Sequence, residues 1–257
     1  MSVLALEATN LSCGYGRFTA LEGVHLDVPK GHCVALLGRN GSGKSTLLRT
    51  MVGELKPLSG DLRVMGEPFL HLDAPTQARL VAFVPQEEPH EFPFLVREVV
   101  AMGRVMGGGL FDDPDDQRAT QESMVQADCI AYADRPVTRL SGGERQRVLI
   151  ARALCQQAPV LLMDEPAAHL DVEHQAALVH IVRSLVKEGR TVVIAVHDLN
   201  LALALADLTV LLDNGRVAAF GPTADVLEEA AVERVFRTPF DRWQTANQEV
   251  RLLPRLG

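Results

Sequence analysis

The segment Gly38-Arg-Asn-Gly-Ser-Gly-Lys-Ser45 decides the fold of this chain. It matches the phosphate-binding pattern Gly-x-x-x-x-Gly-Lys-Ser/Thr. Gly38, Gly41 and Gly43 permit backbone conformations that other residues resist, so that backbone N–H groups can converge on phosphate oxygens. In this pattern the Lys44 ammonium reaches the β- and γ-phosphates, and the Ser45 hydroxyl binds Mg²⁺. The segment therefore predicts a site for a phosphorylated nucleotide.

The residues on either side of this loop support the same interpretation. Residues 33–37 form an apolar run typical of a buried strand, and residues 46–52 continue as a helix. A helix that begins near Gly43 directs its positive end at the phosphates. Because a strand, a glycine-rich loop and a helix follow one another, a chance glycine-rich turn is disfavoured and an α/β fold is predicted.

Composition limits the class of protein. The 257 residues carry a net charge of −8, which argues against nucleic acid as the main partner. No apolar run approaches the length of a membrane span, and the first residues do not resemble a secretory signal. The four cysteines are scattered without metal-binding spacing, so we expect neither disulfides nor zinc and a reducing compartment.

Further strands and helices are predicted by hydrophobic pattern. Strands are expected at residues 3–8, 24–28, 61–65, 81–84, 160–163 and 191–196, and a hairpin at Asn214–Gly215. A short helix is expected at residues 75–80. From residue 87 to residue 158 strand patterns are scarce, which indicates a helical insertion with helices at 96–102 and 117–127 and a flexible acidic bend at 107–116. Helices are also predicted in the tail at 224–229 and 232–236.

A second glycine pair lies in Leu140-Ser-Gly-Gly-Glu-Arg-Gln-Arg147. Ser141 with Glu144 three residues later predicts a capping box at a helix start. Most capping boxes are only structural. Glycine, however, is a poor residue for a first helical turn. Gly142 and Gly143 therefore indicate close approach of a group from outside, such as another phosphate.

Polar residues follow the predicted core strands. Asp164 and Glu165 end one strand, where α/β sheets bind ligands, so Asp164 suits Mg²⁺ and Glu165 suits general-base work on water. His197 ends another strand and could contact a γ-phosphate. Taken alone, Gln86 could be an exposed turn residue and Asp171 a simple helix cap.

Tyr15 has two interpretations. It is one of only two tyrosines and lies in a glycine-flanked turn upstream of the phosphate loop. Its ring could provide a face on which adenine stacks. Without other evidence, the simpler interpretation is that Tyr15 is an amphipathic residue of the turn.

Taken together, these stretches resemble the ATP-binding cassette (ABC) transporter ATPase family over most of the chain. Residues 38–45 resemble its Walker A motif, residues 140–146 its signature, and residues 160–165 its Walker B motif with a catalytic glutamate. The resemblance implies catalytic roles for Glu165, His197 and Gln86, and Mg²⁺ binding by Ser45, Gln86 and Asp164. It also implies ATP binding by Tyr15, Gly38, Arg39, Asn40, Gly41, Ser42, Gly43, Lys44, Ser45, Thr46, Ser141, Gly142, Gly143, Glu144 and Asp171.

The resemblance implies one P-loop NTPase (ABC ATPase) domain with a mainly parallel sheet, an N-terminal antiparallel β subdomain and an inserted helical subdomain. On this basis residues 1–87 and 159–221 form the nucleotide-binding core and residues 88–158 the helical signature subdomain. Residues 222–257 form a C-terminal helical extension.

The family pattern also implies the mechanism and the partners. Two cassettes dimerise head to tail, and each ATP lies between the phosphate loop of one copy and Ser141–Gly143 of the other. Permease subunits dock at the helical subdomain and Gln86, and a substrate-binding protein acts indirectly. The cassette then lies at the cytoplasmic face of the plasma membrane, held there by its permease, with no nucleic acid partner.

A branch within the family is indicated by residues 96–104, by Gly221-Pro-Thr-Ala-Asp-Val-Leu and by Val-Glu-Arg-Val-Phe236. These resemble the bacterial importers of iron-siderophore, haem and cobalamin-type metal chelates. Arg39 stands where proline is more usual, and residues 167–169 replace small polar residues before Asp171. The first change leaves the glycine pattern intact, and the second leaves the contacts of Asp171 open.

Two other functions are compatible with parts of the sequence. The first is an ABC-type ATPase that does not transport, for example in iron–sulfur assembly. Such proteins mostly carry coiled coils, tandem cassettes or basic surfaces. The second is a P-loop kinase of small molecules, which has no use for Ser-Gly-Gly-Glu.

Overall fold

The computed structural model of the chain describes residues 3–86, 88, 92–106, 113–168, 170–245 and 250–255. Its strands are β1 (Leu4–Tyr15), β2 (Phe18–Pro29), β3 (Cys33–Gly38), β4 (Ser59–Val64), β5 (Glu67–Pro68), β6 (Val81–Val84), β7 (Val160–Asp164), β8 (Thr191–Ala195), β9 (Leu208–Asp213), β10 (Arg216–Pro222), β11 (Phe240–Gln244) and β12 (Val250–Pro254). Its α-helices are α1 (Lys44–Met51), α2 (Ala74–Leu80), α3 (Val96–Met106), α4 (Pro114–Gln126), α5 (Gly142–Cys155), α6 (Val172–Lys187), α7 (Leu199–Leu205), α8 (Thr223–Val226) and α9 (Glu229–Phe236).

A six-stranded sheet in the order β10-β9-β3-β8-β7-β6 forms the centre of the molecule. Its neighbours are parallel except for the antiparallel β9–β10 hairpin. Every residue of β3, β7 and β8 is buried, because helices or a second sheet cover both faces. The carboxyl ends of β3, β6, β7 and β8 therefore meet at one edge, where Gly38, Gln86, Glu165 and His197 follow.

A second, four-stranded antiparallel sheet has the order β2-β1-β4-β5. One hydrophobic core packs this sheet and α1 against one face of the central sheet. A second core joins the opposite face to the helical insertion and the C-terminal elements. In the insertion α3 packs closely on α5, since a Cβ atom at Gly103 would lie 2.2 Å from the carbonyl oxygen of Arg152.

The predicted mixed α/β architecture, with its antiparallel N-terminal sheet and helical insertion, is confirmed. The central strands, the helix after Gly43 and the Asn214–Gly215 hairpin also lie where the sequence predicts them. In the ranges that the structure covers, no helix is long and apolar enough to cross a bilayer.

Two local predictions are wrong. The predicted bend includes residues 113–116, but α4 begins at Pro114, where Asp113 is its N-cap and accepts a hydrogen bond from the N–H of Asp115 at 2.8 Å. Proline near a helix start and an acidic cap favour this start. Residues 107–112 of the predicted bend lie outside the described residues.

The C-terminal extension is not wholly helical. Helix α8 has only four residues, and the antiparallel pair β11–β12 follows α9. Within this pair Phe240 and Leu252 are buried whereas Trp243 and Leu253 are exposed. Alternating burial of this kind is the pattern of a sheet with one covered face.

Candidate functional site

The phosphate loop connects β3 to α1 at the carboxyl edge of the central sheet. Gly43 is the N-cap of α1, with φ of 103° in the left-handed region. A Cβ atom here would lie 2.5 Å from Cγ of Leu21, so both conformation and space require glycine. The N–H of Ser42 donates to the carbonyl oxygen of Arg39 at 3.1 Å and closes the loop. The buried Ser42 hydroxyl oxygen has no hydrogen-bond partner among the described residues.

Lys44 is buried at the base of this loop. Its Nζ donates to the carbonyl oxygen of Gly38 at 3.0 Å and lies 3.7 Å from Oε1 of Glu165. Burial lowers the pKa of the Lys44 ammonium, and the carboxylates of Glu165 and Asp164 partly oppose that shift. A phosphate group would offer the ammonium anionic oxygens in place of these weak partners.

Ser45 and Asp164 form the second polar pair. The Ser45 hydroxyl donates to Oδ1 of Asp164 at 3.0 Å. Burial raises the pKa of the Asp164 carboxyl, and the Ser45 hydrogen bond opposes this. A hydroxyl and a carboxylate are ligands that Mg²⁺ prefers, and its remaining ligands are commonly water and phosphate oxygens. Within the described ranges, no group of three or more His, Cys, Asp or Glu side chains is arranged to hold a metal ion.

Glu165 follows Asp164 in a left-handed backbone conformation, with φ of 49°. Its N–H donates to the carbonyl oxygen of Ala195 at 3.1 Å, which fixes this unusual conformation. The side chain is mostly buried, and its Oε1 lies 2.6 Å from Nε2 of His197. The structure thus places a carboxylate between a histidine and a lysine beside the phosphate loop.

Ser141 is the N-cap of α5, in a different part of the chain. Its N–H donates to Oε2 of Glu144 at 2.8 Å, and its hydroxyl accepts from the N–H of Glu144 at 3.3 Å, which is the predicted capping box. These hydrogen bonds lower the pKa of the Glu144 carboxyl. A Cβ atom at Gly142 would meet nothing within 4 Å among the described residues. Packing within one chain therefore does not explain this glycine.

The structure does not join the two glycine motifs. No hydrogen bond or ion pair in the described part of the chain links residues 141–144 to residues 38–46. Arg39 and Asn40 are exposed at the loop, and Thr46 lies in the first turn of α1. Within the described residues the two motifs are therefore not linked directly by polar contacts.

Gln86 and Asp171 have no described hydrogen bond to the phosphate loop. The Gln86 side chain has no described hydrogen bond to Ser45 or Asp164, although it follows β6 at the same sheet edge. Asp171 caps α6 and accepts from the N–H of His174 at 3.0 Å, which lowers its carboxyl pKa. His169, which precedes Asp171, lies outside the described residues.

Tyr15 lies at the end of β1, 47% exposed, and pairs with Phe18 across a two-residue turn. Paired residues project from the same face of a sheet. Phe18, 67% exposed, lines a cleft that also includes Gly41. The sequence analysis missed Phe18, although an aromatic residue three positions after Tyr15 in a hairpin pattern would have indicated it.

A bidentate ion pair near Gln86 was also missed. The guanidinium of Arg152 in α5 donates to the Glu88 carboxylate at 2.9 Å and 2.5 Å. It ties the segment after Gln86 to the helix that begins at Ser141. No local sequence pattern indicates it, since the partners are 64 residues apart.

Comparison with known protein families gives one extended match. The family described as ABC transporter matches residues 21–168 of this chain. The hemin import ATP-binding protein HmuV of Streptomyces coelicolor is 41% identical over 234 residues, which are 91% of this chain and 84% of that protein. Residues 21–168, which the family matches, include both glycine motifs and the pair Asp164 and Glu165.

The solved structures that are similar to this one include a transporter and a dimeric cassette. A metal-chelate type ABC transporter in an inward-facing conformation aligns with a TM-score of 0.85 and 29% identity, over 99% of this chain and 98% of that one. The dimeric ATP-binding cassette MJ0796, in a post-hydrolysis state with ADP and Pi, aligns with a TM-score of 0.75 and 26% identity. That alignment covers 85% of this chain and 98% of the cassette.

Proposed function

This chain belongs to the ABC transporter family and is an ATPase of that family, and on this premise we propose that it energises a membrane importer of metal chelates. Two copies bind two ATP molecules head to tail, and the resulting closure is transmitted to a permease. The observation that carries the proposal is the convergence of Lys44, Asp164, Glu165 and His197 beside the phosphate loop.

The phosphate end of ATP suits these side chains. Backbone N–H groups of residues 41–46, the free Ser42 hydroxyl and the Lys44 ammonium bind phosphate oxygens. Ser45, Asp164 and Gln86 would hold Mg²⁺, since the first two already share a hydrogen bond and Gln86 follows β6 at the same sheet edge. When bound, Mg²⁺ supplies positive charge that stabilises the negative charge developing on the phosphate oxygens.

Hydrolysis needs a base and a group that senses the terminal phosphate. Glu165 accepts the proton of the attacking water, because its carboxylate is held at the strand end beside Lys44. His197 holds the Glu165 carboxylate in position and is the residue that contacts the γ-phosphate. Closing the site excludes water and strengthens each of these electrostatic contacts.

The second copy supplies the residues that complete each site. Gly142 is exposed with open space at its Cβ position, and Ser141 presents a hydroxyl and a helix N-terminus next to it. Ser141–Gly143 and Glu144 of one copy approach the triphosphate on the other, and Asp171 lies near this contact. ATP favours closure because its γ-phosphate contacts form only in the closed state.

The adenine base stacks on Tyr15. The exposed Tyr15 ring at the end of β1 and the exposed Phe18 ring across the turn offer aromatic surface on one face of the sheet. Aromatic stacking of this kind contributes roughly 1–3 kcal/mol per base. Phe18 extends the surface toward the phosphate loop, since it lines the cleft beside Gly41.

The permease docks in a cleft between the core and the helical insertion. This cleft of 630 Å³ is lined by residues of α1, α2, β6 and α5, among them Arg49, Gln77, Phe83 and the Glu88–Arg152 pair. Phe92 and Phe94 are exposed at the start of the insertion, with ring centroids 6.1 Å apart. Exposed apolar side chains beside a charged cleft are typical of protein interfaces.

The domain limits and the cargo are part of the same proposal. The nucleotide-binding core comprises residues 1–87 and 159–221, the signature subdomain residues 88–158, and the extension residues 222–257. The cargo is a metal chelate of the haem, iron-siderophore or cobalamin type, because a hemin import protein is 41% identical to this chain. The cassette is peripheral at the cytoplasmic face of the membrane, bound through its permease.

The experiment that tests this function is reconstitution. The tagged chain is purified from its native membranes, and the retained membrane protein is placed with it in liposomes. We expect ATP-dependent uptake of haem or a related chelate. A retained permease without chelate transport would contradict the cargo, and no retained membrane protein would contradict the transport function.

A matched pair of variants tests the docking cleft. Ala74 is exposed at the start of α2 and lines the cleft, whereas His180 is exposed on α6. Ala74→Arg should abolish co-purification of the permease and leave the ATPase activity of the isolated cassette unchanged, while His180→Arg changes neither. Full permease retention by Ala74→Arg would contradict this docking site.

A further inference from the structure

We infer that the C-terminal hairpin β11–β12 is a second contact surface between two copies of this chain, through Trp243 and Leu253. The inference rests on the proposed head-to-tail dimer. It goes beyond that dimer because it adds an apolar contact outside the nucleotide sites. The hairpin is then covered when ATP closes the dimer and exposed when the dimer opens.

The two faces of the hairpin differ in burial. Paired residues across the hairpin project from the same face, and the register pairs Arg242 with Leu252 and Trp243 with Arg251. The face with Phe240 and Leu252 packs on the core, where these side chains are 8% and 1% exposed. The opposite face carries Trp243 and Leu253, which are 60% and 50% exposed. A large aromatic and a leucine thus lie together in solvent, a combination enriched in protein interfaces.

The hairpin is hydrogen-bonded to the segment that follows His197, the residue proposed to contact the γ-phosphate. The Asn200 side chain donates to the carbonyl oxygen of Leu252 at 3.0 Å and accepts from its N–H at 2.9 Å. The backbone N–H of Asn200 donates to Oδ1 of Asp198 at 2.7 Å, next to His197. Asn200 is three residues from His197, at most about 11 Å along the chain. The hairpin is therefore hydrogen-bonded to the helix that begins just after His197, at the edge that a second copy approaches in the proposed dimer.

Contacts with α9 hold the other strand. The N–H groups of Phe240 and Arg242 donate to the carboxylates of Glu233 and Glu229, each at 3.0 Å. Because both strands are anchored, Trp243 projects from a supported surface rather than from a free end. Such a surface loses little conformational entropy when a partner covers it.

Charge favours a second copy as the occupant. The sequence from Phe240 to Arg255 carries three arginines against Asp241 and Glu249, a net charge of +1, in a chain whose net charge is −8. A weakly basic hairpin is attracted to the acidic remainder of a second copy. A neutral or basic partner would gain nothing from this charge.

Trp243 is the only tryptophan in the sequence, so tryptophan fluorescence measures the burial of this one side chain. Glu165→Gln protein is titrated with Mg-ATP while tryptophan emission, acrylamide quenching and sedimentation are measured. We expect the emission to shift to shorter wavelength and quenching to fall at least twofold as the dimer forms. The same protein carrying Ser141→Arg binds ATP without pairing and should show no change.

The outcomes separate this inference from the proposed function. A dimer in sedimentation with unchanged tryptophan emission and quenching would overturn the hairpin contact and leave the nucleotide dimer intact. An equal shift in the Ser141→Arg protein would also overturn it, because the change would then arise within one chain. Failure to dimerise at all would overturn both proposals.

A second pair of variants leaves Trp243 in place and tests the apolar surface next to it. Leu253→Ser removes apolar area next to Trp243, and Val125→Ser removes a similarly exposed side chain from α4. Leu253→Ser should weaken ATP-driven dimerisation by about tenfold, an effect usual for a buried interface side chain. Val125→Ser should leave dimerisation unchanged. Equal dimer affinity for both variants would contradict the contact.

Discussion

Nε2 of His197 lies 2.6 Å from Oε1 of Glu165, and the same carboxylate oxygen lies 3.7 Å from Nζ of Lys44. One carboxylate thus contacts two groups that can donate to phosphate. Strand order brings this about, because β7, β8 and β3 are neighbours and end at the same edge. In the proposed mechanism this carboxylate accepts a proton from the attacking water after phosphate has bound Lys44.

Glu165→Gln should bind ATP but lose turnover by at least about 100-fold, since general-base catalysis contributes 10²–10⁴-fold. Glutamine keeps the size of the side chain and its hydrogen bond to His197 but accepts protons poorly. Steady-state phosphate release measures the loss, and sedimentation detects the trapped dimer. Glu122→Gln, at an exposed position in α4, is the control. Hydrolysis at the parent rate would exclude Glu165 as the base.

Lys44→Ala should weaken nucleotide binding itself by about ten- to a hundredfold, because a hydrogen bond to a charged group contributes about 1.5–3 kcal/mol. Displacement of a fluorescent ATP analogue measures the affinity. Lys187→Ala removes an exposed lysine at the end of α6 and should leave the affinity unchanged. An unchanged affinity for Lys44→Ala would contradict the phosphate-loop assignment.

Gly142→Asp should fold as stably as the parent chain and fail to dimerise. The chain leaves open space at the Gly142 Cβ position, and a carboxylate in the first turn of α5 is favourable for the helix. The same carboxylate would repel a triphosphate that approaches from another copy. Thermal unfolding tests the predicted stability, and sedimentation with ATP tests the predicted loss of dimerisation. Ala74→Asp, also at a helix start, should dimerise normally, and a fully dimeric Gly142→Asp would exclude contact at this position.

The four cysteines provide a test that depends on pH. All four are buried, and burial raises the pKa of Cys129 from 9.0 to about 12. The unfolded thiol therefore loses its proton first, so this residue should lower stability as pH rises from about 9 to about 12. Cys129→Ala should show a shallower fall of melting temperature over this window. A fall as steep as that of the parent would contradict the raised pKa.

The same cysteines should be unreactive in the folded protein. Thiolate is the reactive form, and burial also excludes the reagent. Folded protein at pH 8 should release almost no chromophore from Ellman's reagent, and protein in guanidinium should release four equivalents. Rapid reaction of native thiols would show that these sites are open to solvent.

Local sequence patterns were sufficient to predict the loop, the helix start and the hairpin named below. The loop after Cys33–Gly38, the capping box at Ser141 and the hairpin at Asn214–Gly215 each depend on residues a few positions apart. Their signals are glycines, caps and apolar runs, and these act within one turn or strand. Chemistry that belongs to such local segments can therefore be predicted.

Contacts between residues far apart in the sequence could not be predicted from local patterns. Contact of His197 with Glu165 requires the order of the sheet, and the Glu88–Arg152 pair requires the packing of α5 beside β6. Strands β11 and β12 were missed because each has only five residues, too few for a clear alternating pattern. The start of α4 could have been predicted from Asp113 and Pro114, which are an ordinary helix cap and first residue.

The central claim is that each ATP is held by Lys44 of one copy and Ser141 of the other, and mixing of two defective copies tests it most directly. In the Glu165→Gln background, one copy carries Lys44→Ala and the other Ser141→Arg, and neither alone should retain ATP in a dimer. An equal mixture should regain retained ATP at about a quarter of the parent amount, because random pairing gives one intact site per mixed dimer. A mixture that retains no more ATP than either variant alone would contradict the claim, since it would mean that each site is built within a single chain.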